Sequence, residues 1–325
     1  MQDRDDVVLV TGAAGFVGSS LSSELLDRGY DVIGVDSYES GSPEQIAELT
    51  GRDRFRFVEG DIRDRSLTGR LLSQVDTVFH QAALTSVVQS FDEPVETAEV
   101  NCTGTAILLS EAAGHDLDSI VVASSASVYG SDAPQPVSED APLRPESPYA
   151  ASKCWTERLA MQLEDRLEPD VIALRYFNVY GPGQDPDDAY AAVVPAFASR
   201  VRDGRPPIVH GDGEQTRDFV HVSDVVRANV AAAESNRTGE TYNVGSGRQT
   251  SIKELAELCV GIASVDVEYE HGPTREGDVR HSCADISKIR ADLGFEPVIS
   301  LRTGLTEVVA DETRAQPSQM DGSSP

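Results

Sequence analysis

Lysine is nearly missing from this chain. In 325 residues it stands only at 153, 253 and 288, while Asp and Glu together number 55. The formal charge of −28 disfavours a nucleic-acid partner, because such a surface repels a phosphate backbone. It also loads the compact state with self-repulsion that concentrated salt screens, which points to a halophilic host, the alternative being an ordinary acidic enzyme. Cysteine is scarce as well. Cys102, Cys154, Cys259 and Cys283 form no C-x-x-C pair and share no metal-like spacing, so free thiols in a reducing compartment and no metal are expected. No run of eighteen apolar residues occurs, and no membrane span is expected. The opening residues lack the apolar stretch of a signal peptide, so a cytoplasmic location is expected.

What is present begins with a nucleotide fingerprint. Val7–Thr11 is a short apolar run of the buried-strand type. It opens into Gly12-Ala13-Ala14-Gly15-Phe16-Val17-Gly18, followed by a helical stretch over 19–28. Glycines so placed allow a tight turn, close approach to a pyrophosphate and close helix–strand contact, with the helix N-terminus facing the anion. Asp31–Asp36 reads as a second strand ending in an acid, about 20 residues past the glycines, where a carboxylate accepts both ribose hydroxyls. That carboxylate repels a 2′-phosphate, so NAD is expected rather than NADP. A third strand at 55–58 leads to Asp61 and Ile62. Asp61 is placed to accept from the adenine amino group, the alternative being a cap for a helix at 65–74. A fourth strand at 75–80 ends in His80, read as a hydrogen-bonded strand-end histidine. Gln81-Ala82-Ala83 then lets the backbone pass close to the cofactor.

A helix over 94–114 and a fifth strand over 119–123 lead to Ser124-Ser125-Ala126-Ser127-Val128-Tyr129-Gly130. In a doubly wound sheet, ligands gather beyond the carboxyl ends of the strands, which puts Ser125 within reach of the helix that Pro148 begins. On that helix Tyr149 and Lys153 stand one turn apart. Thr156, Leu159, Ala160 and Leu163 continue at helical spacing, so the pair shares a face. A tyrosine has a pKa of about 10 and is a poor base at neutral pH. A neighbouring cation stabilises the phenolate and makes it a proton acceptor, although the spacing alone equally describes an ordinary helix surface.

The glycine fingerprint, the Ser-Ser-Ala-Ser-Val-Tyr-Gly stretch and the Tyr149/Lys153 pair, in that order, resemble the extended short-chain dehydrogenase/reductase family, in particular its nucleotide-sugar 4-epimerases. The resemblance implies an α/β fold with a doubly wound parallel (Rossmann) sheet and a smaller C-terminal substrate-binding α/β region. Residues 1–177, with a return near 218–245, are expected to bind NAD. Residues 178–217 and 246–314 are expected to bind substrate, and 315–325 to be a disordered tail. The implied reaction is reversible oxidation at C4 of a UDP-hexose, with Tyr149 as base, Lys153 lowering its pKa and Ser125 on O4. Implied cofactor contacts are Gly12, Gly15, Phe16, Val17, Gly18, Asp36, Asp61, Ile62, Gln81, Ala82, Ala83, Tyr149, Lys153 and Tyr176. Implied substrate contacts are Thr85, Ser125, Asn178, Arg217, Arg275, Asp278 and Ser282. Arg217 and Arg275 offer guanidinium forks for a diphosphate, with surface ion pairs as the alternative, and Asp278 is implied on a ribose hydroxyl.

Two features narrow the choice within the resemblance. Related 4,6-dehydratases carry an Asp-Glu pair where this chain has Ala126 and Ser127, so dehydration is disfavoured. Ser282 is small where a tyrosine admits only plain hexoses, and the stretches from Gln184 and Ala189 resemble 4-epimerases of N-acetylated UDP-sugars. UDP-GlcNAc/UDP-GalNAc interconversion is therefore expected, with UDP-Glc/UDP-Gal as a second activity. Thr85 departs from the glycine that N-acetyl relatives tend to carry. A UDP-glucuronate 4-epimerase would need a basic group for the carboxylate, and none is located. A catalytically silent NAD sensor would not need Ser125, Tyr149 and Lys153 together. The resemblance also implies a homodimer formed through helices near 94–114 and 149–168.

Overall fold

The computed structural model describes residues 6–184, 192–274 and 279–311, so Arg275, Asp278, the stretch following Gln184 and the expected tail lie outside the described residues. The first half alternates strand and helix: β1 (Val7–Thr11), α1 (Phe16–Asp27), β2 (Asp31–Asp36), α2 (Pro43–Ile46), β3 (Phe55–Glu59), α3 (Arg65–Leu72) and β4 (Thr77–His80). Next come α4 (Val87–Asp92), α5 (Pro94–Ala98), a π-helical turn at Glu99–Gly104, α6 (Thr105–Ala112), β5 (Ser119–Ser125), α7 (Pro148–Leu163) and β6 (Asp170–Tyr176). The chain then leaves the sheet through β7 (Asn178–Tyr180), α8 (Val193–Arg202), β8 (Ile208–His210), β9 (Thr216–Arg217) and β10 (Phe219–His221). It returns with α9 (Val222–Ala233) and β11 (Glu240–Val244). The last elements are β12 (Thr250–Ser251), α10 (Ile252–Ala263), β13 (Glu270–Gly272), α11 (Ser287–Leu293) and α12 (Leu301–Ala310).

Seven strands form one sheet in the order β11-β6-β5-β4-β1-β2-β3, every pairing parallel. Parallel strands need helical crossovers, so both faces are covered and successive strand residues are buried on opposite sides. Val8 and Val10 of β1 join Leu21 and Leu25 of α1 and Val226 and Val230 of α9 in one layer. Leu9 joins Leu108 and Leu109 of α6 and Ile120 and Val122 of β5 in the other. A third buried cluster, away from the sheet, gathers Phe197 of α8, Leu255 and Cys259 of α10, and Leu305 and Val308 of α12. The strand order reverses between β1 and β4, and this opens a crevice at their carboxyl ends.

Several boundaries differ from the sequence reading, each for a local reason. Helix α1 begins at Phe16 rather than at 19, because the glycine loop itself forms the first turn. A Cβ on Gly18 would lie 2.0 Å from the Gly12 carbonyl oxygen. The helix expected over 94–114 ends at Ala112 and is widened by the π turn. There the Asn101 side chain takes both polar groups of the Leu84 backbone, its Oδ1 accepting from the amide at 2.8 Å and its Nδ2 donating to the carbonyl at 3.0 Å. Asp64, not Asp61, caps α3, accepting from the amides of Ser66 and Leu67 at 2.9 and 3.0 Å, so the alternative reading of Asp61 as that cap is overturned.

Candidate active site

The glycine turn is dictated by contact. Gly12 has φ +68°, and a Cβ there would meet the Ala82 amide nitrogen at 2.7 Å, so glycine alone lets the loops after β1 and β4 touch. Gly15 stands at the N-cap of α1 with no side chain capping it, which leaves the amide end of the helix to a bound anion. Asp36 ends β2 with its carboxylate accepting from the amides of Ala14 at 2.9 Å and Tyr38 at 2.8 Å. Burial pushes its pKa up, against the pull of those backbone donors.

His80 is locked behind this turn. Thr105 Oγ1 donates to the Asn101 carbonyl at 2.6 Å, so it accepts from His80 Nε2 at 2.8 Å. Thr11 Oγ1 must then donate to His80 Nδ1, also at 2.8 Å, while accepting from the Ala82 amide at 3.2 Å. Burial, and next the charge of Lys153, push the imidazole pKa down to about 3. His80 is a neutral strut between the walls of the crevice.

Over the crevice lies a cleft of about 400 Å³. The structure brings to its lining Gly12, Gly15, Phe16, Val17, Gly18, Asp36, Asp61, Ile62, Gln81, Ala82, Ala83, Thr85, Ser125, Tyr149, Lys153 and Tyr176. At its chemical end, Ser125 closes β5 and Ser147 caps α7 by accepting from the Ala150 amide at 3.1 Å. This sets Tyr149 in the first helical turn, where its phenol faces the Ser125 side chain across the cleft. Burial raises the phenol pKa and the Ser125 side chain opposes the rise. Lys153, 5% exposed, donates from Nζ to the Ala123 carbonyl at 2.9 Å. Burial pushes its pKa down to about 8, against the Cys102 thiol nearby.

Sequence reasoning missed the supports of this end. Tyr176 Oη lies 2.9 Å from Asn229 Oδ1 and 3.2 Å from Gln81 Oε1, and Asn229 comes from α9, far along the chain. Ser124 Oγ donates to Glu157 Oε2 at 2.9 Å, and the same oxygen accepts from Arg175 Nε at 2.9 Å. Arg175 Nη2 bonds the other oxygen of Glu157, and Nη1 donates to Tyr129 Oη at 2.8 Å. Also missed were Ser37, Glu39, Ser40, Ser42 and Gln45, which line the cleft directly after Asp36. Gln184 Oε1 is buried in the lining without a hydrogen-bond partner.

Three predicted substrate contacts lie elsewhere among the described residues. Asn178 is exposed on β7, and neither it nor Arg217 nor Ser282 lines the cleft. Arg217 Nη1 donates to the Thr216 carbonyl at 2.8 Å, and the Ser282 amide donates to that same carbonyl at 3.2 Å, so the two residues are neighbours. Among the described residues, no His, Cys, Asp or Glu cluster is fit to hold a metal, and no helix is long and apolar enough to cross a membrane. All four cysteines are free.

A reversed parallel sheet, a glycine turn feeding a helix N-terminus, an acid after the second strand, and Ser, Tyr and Lys at one end of the cleft define a dinucleotide-binding enzyme of the extended short-chain dehydrogenase/reductase class. More narrowly, the chain belongs to the NAD-dependent epimerase/dehydratase family, whose sequence profile matches residues 8–245. It is 40% identical over 303 residues to the UDP-glucose 4-epimerase of Mycolicibacterium smegmatis, the match spanning 93% of this chain and 96% of that protein. The crystal structure of the Thermotoga maritima UDP-glucose 4-epimerase with UDP-glucose superposes with a TM-score of 0.89 at 36% identity, covering 95% of this chain and 99% of that one. The Methanobrevibacter ruminantium UDP-N-acetylglucosamine 4-epimerase in complex with UDP-N-acetylmuramic acid gives 0.90 at 34% identity, with 94% and 97% covered. The cofactor is NAD, and the uncapped start of α1 at the cleft fits its pyrophosphate.

Proposed function

We propose that this protein interconverts the C4 epimers of a UDP-hexose, with N-acetylated hexoses as preferred substrates and plain hexoses as secondary ones. The meeting of the Tyr149 phenol with the Ser125 side chain, beside Lys153 on the same helix face, carries this reading. NAD, when bound, supplies the hydride acceptor and donor at C4. Tyr149 takes the C4 hydroxyl proton and returns it after the 4-keto sugar has turned over. Ser125 holds O4 throughout, and the Lys153 ammonium offsets the phenolate charge. Ala126 and Ser127 carry no carboxyl group for eliminating water.

The preference for N-acetylated sugars is supported by the partnerless Gln184 Oε1 in the cleft lining, an acceptor suited to an acetamido N–H, while Ser282, beside Arg217 and outside that lining, enters the proposal through the resemblance alone. Arg217, Arg275, Asp278 and Asn178 belong to the diphosphate and nucleoside part of this proposal. Residues 1–177, with the return near 218–245, are assigned to the cofactor, and the third buried cluster supports a separate substrate region. Purified protein given UDP-GalNAc without added NAD is expected to form UDP-GlcNAc. Ser282→Tyr is expected to lower turnover of N-acetylated sugars about tenfold or more relative to plain hexoses. Equal losses on both classes would refute the pocket assignment.

A homodimer is part of the proposal. Helices α4 and α5 pack on α7, and there Val87, Val88, Phe91, Val95 and Trp155 are 43–69% exposed, an apolar face that a second copy would cover. Phe91→Glu is expected to shift the sedimenting species from dimer to protomer; a variant that stays dimeric places the interface elsewhere. Free thiols support a reducing, cytoplasmic setting, and the charge of −28 supports a halophilic host.

A further inference from the structure

Arg63 takes no part in the chemistry above, yet one guanidinium faces four carboxylates. Its Nη2 lies 2.6 Å from Asp61 Oδ2 and 3.4 Å from Glu39 Oε2. Its Nη1 lies 2.6 Å from Glu96 Oε1 and 3.8 Å from Glu99 Oε2. Its Nε and its own amide also donate to Asp61, at 2.8 and 2.7 Å. These acids come from three places: the loop after β2, the loop after β3, and the run of α5 into the π turn. Two of them, Glu39 and Asp61, line the cleft, and Ser37, Ser40 and Ser42 line it from the same loop as Glu39. Behind Asp61, Ile62 is wedged against the π turn, where a Cβ on Gly104 would lie 2.5 Å from Ile62 Cδ1.

The Asp61 segment is thus fixed, and the loop 37–42 is tied to it by Arg63. We propose that Arg63 is a positioning residue that clamps this loop across the adenosine end of the cleft and thereby sets how slowly bound NAD leaves. The inference rests on the proposed placement of adenosine between Asp36 and Asp61. A planar fork suits the task because it reaches acids on two sides at once, which an ammonium cannot do with the same geometry. Without it, four carboxylates from three segments face one another. The contact between Glu39 and Glu96 already raises the pKa of the Glu39 carboxyl, after burial.

The test compares wild type, Arg63→Met and Arg63→Lys purified with their NAD, following release by trapping free NAD with an added dehydrogenase. Arg63→Met is expected to release NAD about tenfold faster or more, and Arg63→Lys to fall between. Potassium chloride should speed release from wild type, whose clamp is partly exposed, and slow it from Arg63→Met, whose repulsion it screens. A role confined to fold stability would change the melting temperature of the NAD-stripped protein and leave release and its salt dependence alone; that result overturns the clamp. Asp36→Ala separates the two levels of the proposal. If it releases NAD quickly while Arg63→Met does not, the clamp alone fails; if neither releases quickly, the placement of adenosine fails with it.

Discussion

Tyr149→Phe is expected to reduce kcat by about 10²- to 10⁴-fold while the purified variant keeps its NAD. The substitution removes one oxygen from a side chain that is 8% exposed, and it leaves the ring and its packing in place. Its neighbour in the cleft, Ser125, accepts from the Ser127 amide at 3.2 Å, so the strand end stays anchored. Loss of turnover with the fold and the cofactor intact therefore reports on the proton acceptor alone. The electrostatics explain why the base needs its surroundings. Burial pushes the Tyr149 phenol up and Lys153 down to about 8, so burial disfavours the charged form of each in the bare cleft, although Lys153 still carries its proton at neutral pH. Ionising them together as phenolate and ammonium returns part of that cost by mutual attraction, and a positive charge elsewhere in the cleft adds to it. No neighbour can take over. His80 has both ring nitrogens engaged, and burial holds the Cys102 thiol above its usual range. Wild-type turnover in Tyr149→Phe, measured by sugar analysis under saturating UDP-GalNAc and UDP-Gal, would place the base on another group.

What the sequence disclosed about this site follows from the range over which each constraint acts. Gly15 and Gly18 are demanded by backbone contacts with Gly12 within one turn, Gly12 by its left-handed φ of +68°, and Tyr149 and Lys153 by one turn of helix. Both patterns are written in consecutive residues, and the structure lines a single cleft with them. Asn101 and Leu84 are 17 positions apart, Tyr176 and Asn229 are 53 apart, and no local period announces either pair. The π turn was unreadable for the same reason, since the side chain that widens it bonds to a different loop. Asn178, Arg217 and Ser282 show the limit from the other side. Each sits in a motif resembling substrate contacts, but Asn178 and Arg217 lie on short strands outside the main sheet and Ser282 in a loop hydrogen-bonded to β9, so their direction depends on pairings such as β9 with β12. The serines after Asp36 could have been found, because a loop that follows the acid of β2 must pass the same ligand.

The second large effect is expected at Glu157→Ala, which should lower the unfolding free energy by about 3–5 kcal/mol. Glu157 and Arg175 side chains are each 5% exposed, so removing one leaves the other charge buried. Burial opposes the charge on Arg175, but its bonds to Glu157 outweigh that and raise its pKa, so the guanidinium does not escape by losing its proton. In Glu157→Ala it keeps only the Tyr129 hydroxyl at 2.8 Å and the Glu139 carbonyl at 3.1 Å, neither of which carries a charge to match it. Replacing both partners, Glu157→Leu with Arg175→Met, should recover most of the stability, because apolar groups of similar size fill the space without an orphaned ion. Activity should not return with it. Glu157 also accepts from Ser124, the residue before Ser125, and so ties the end of β5 to the helix that carries Tyr149 and Lys153. Urea unfolding at saturating NAD, read beside kcat for the single and double variants, separates the two effects. A loss below about 1 kcal/mol in Glu157→Ala would mean that the pair is weaker than its burial requires. Full activity in the refolded double variant would mean that Ser125 needs no tether.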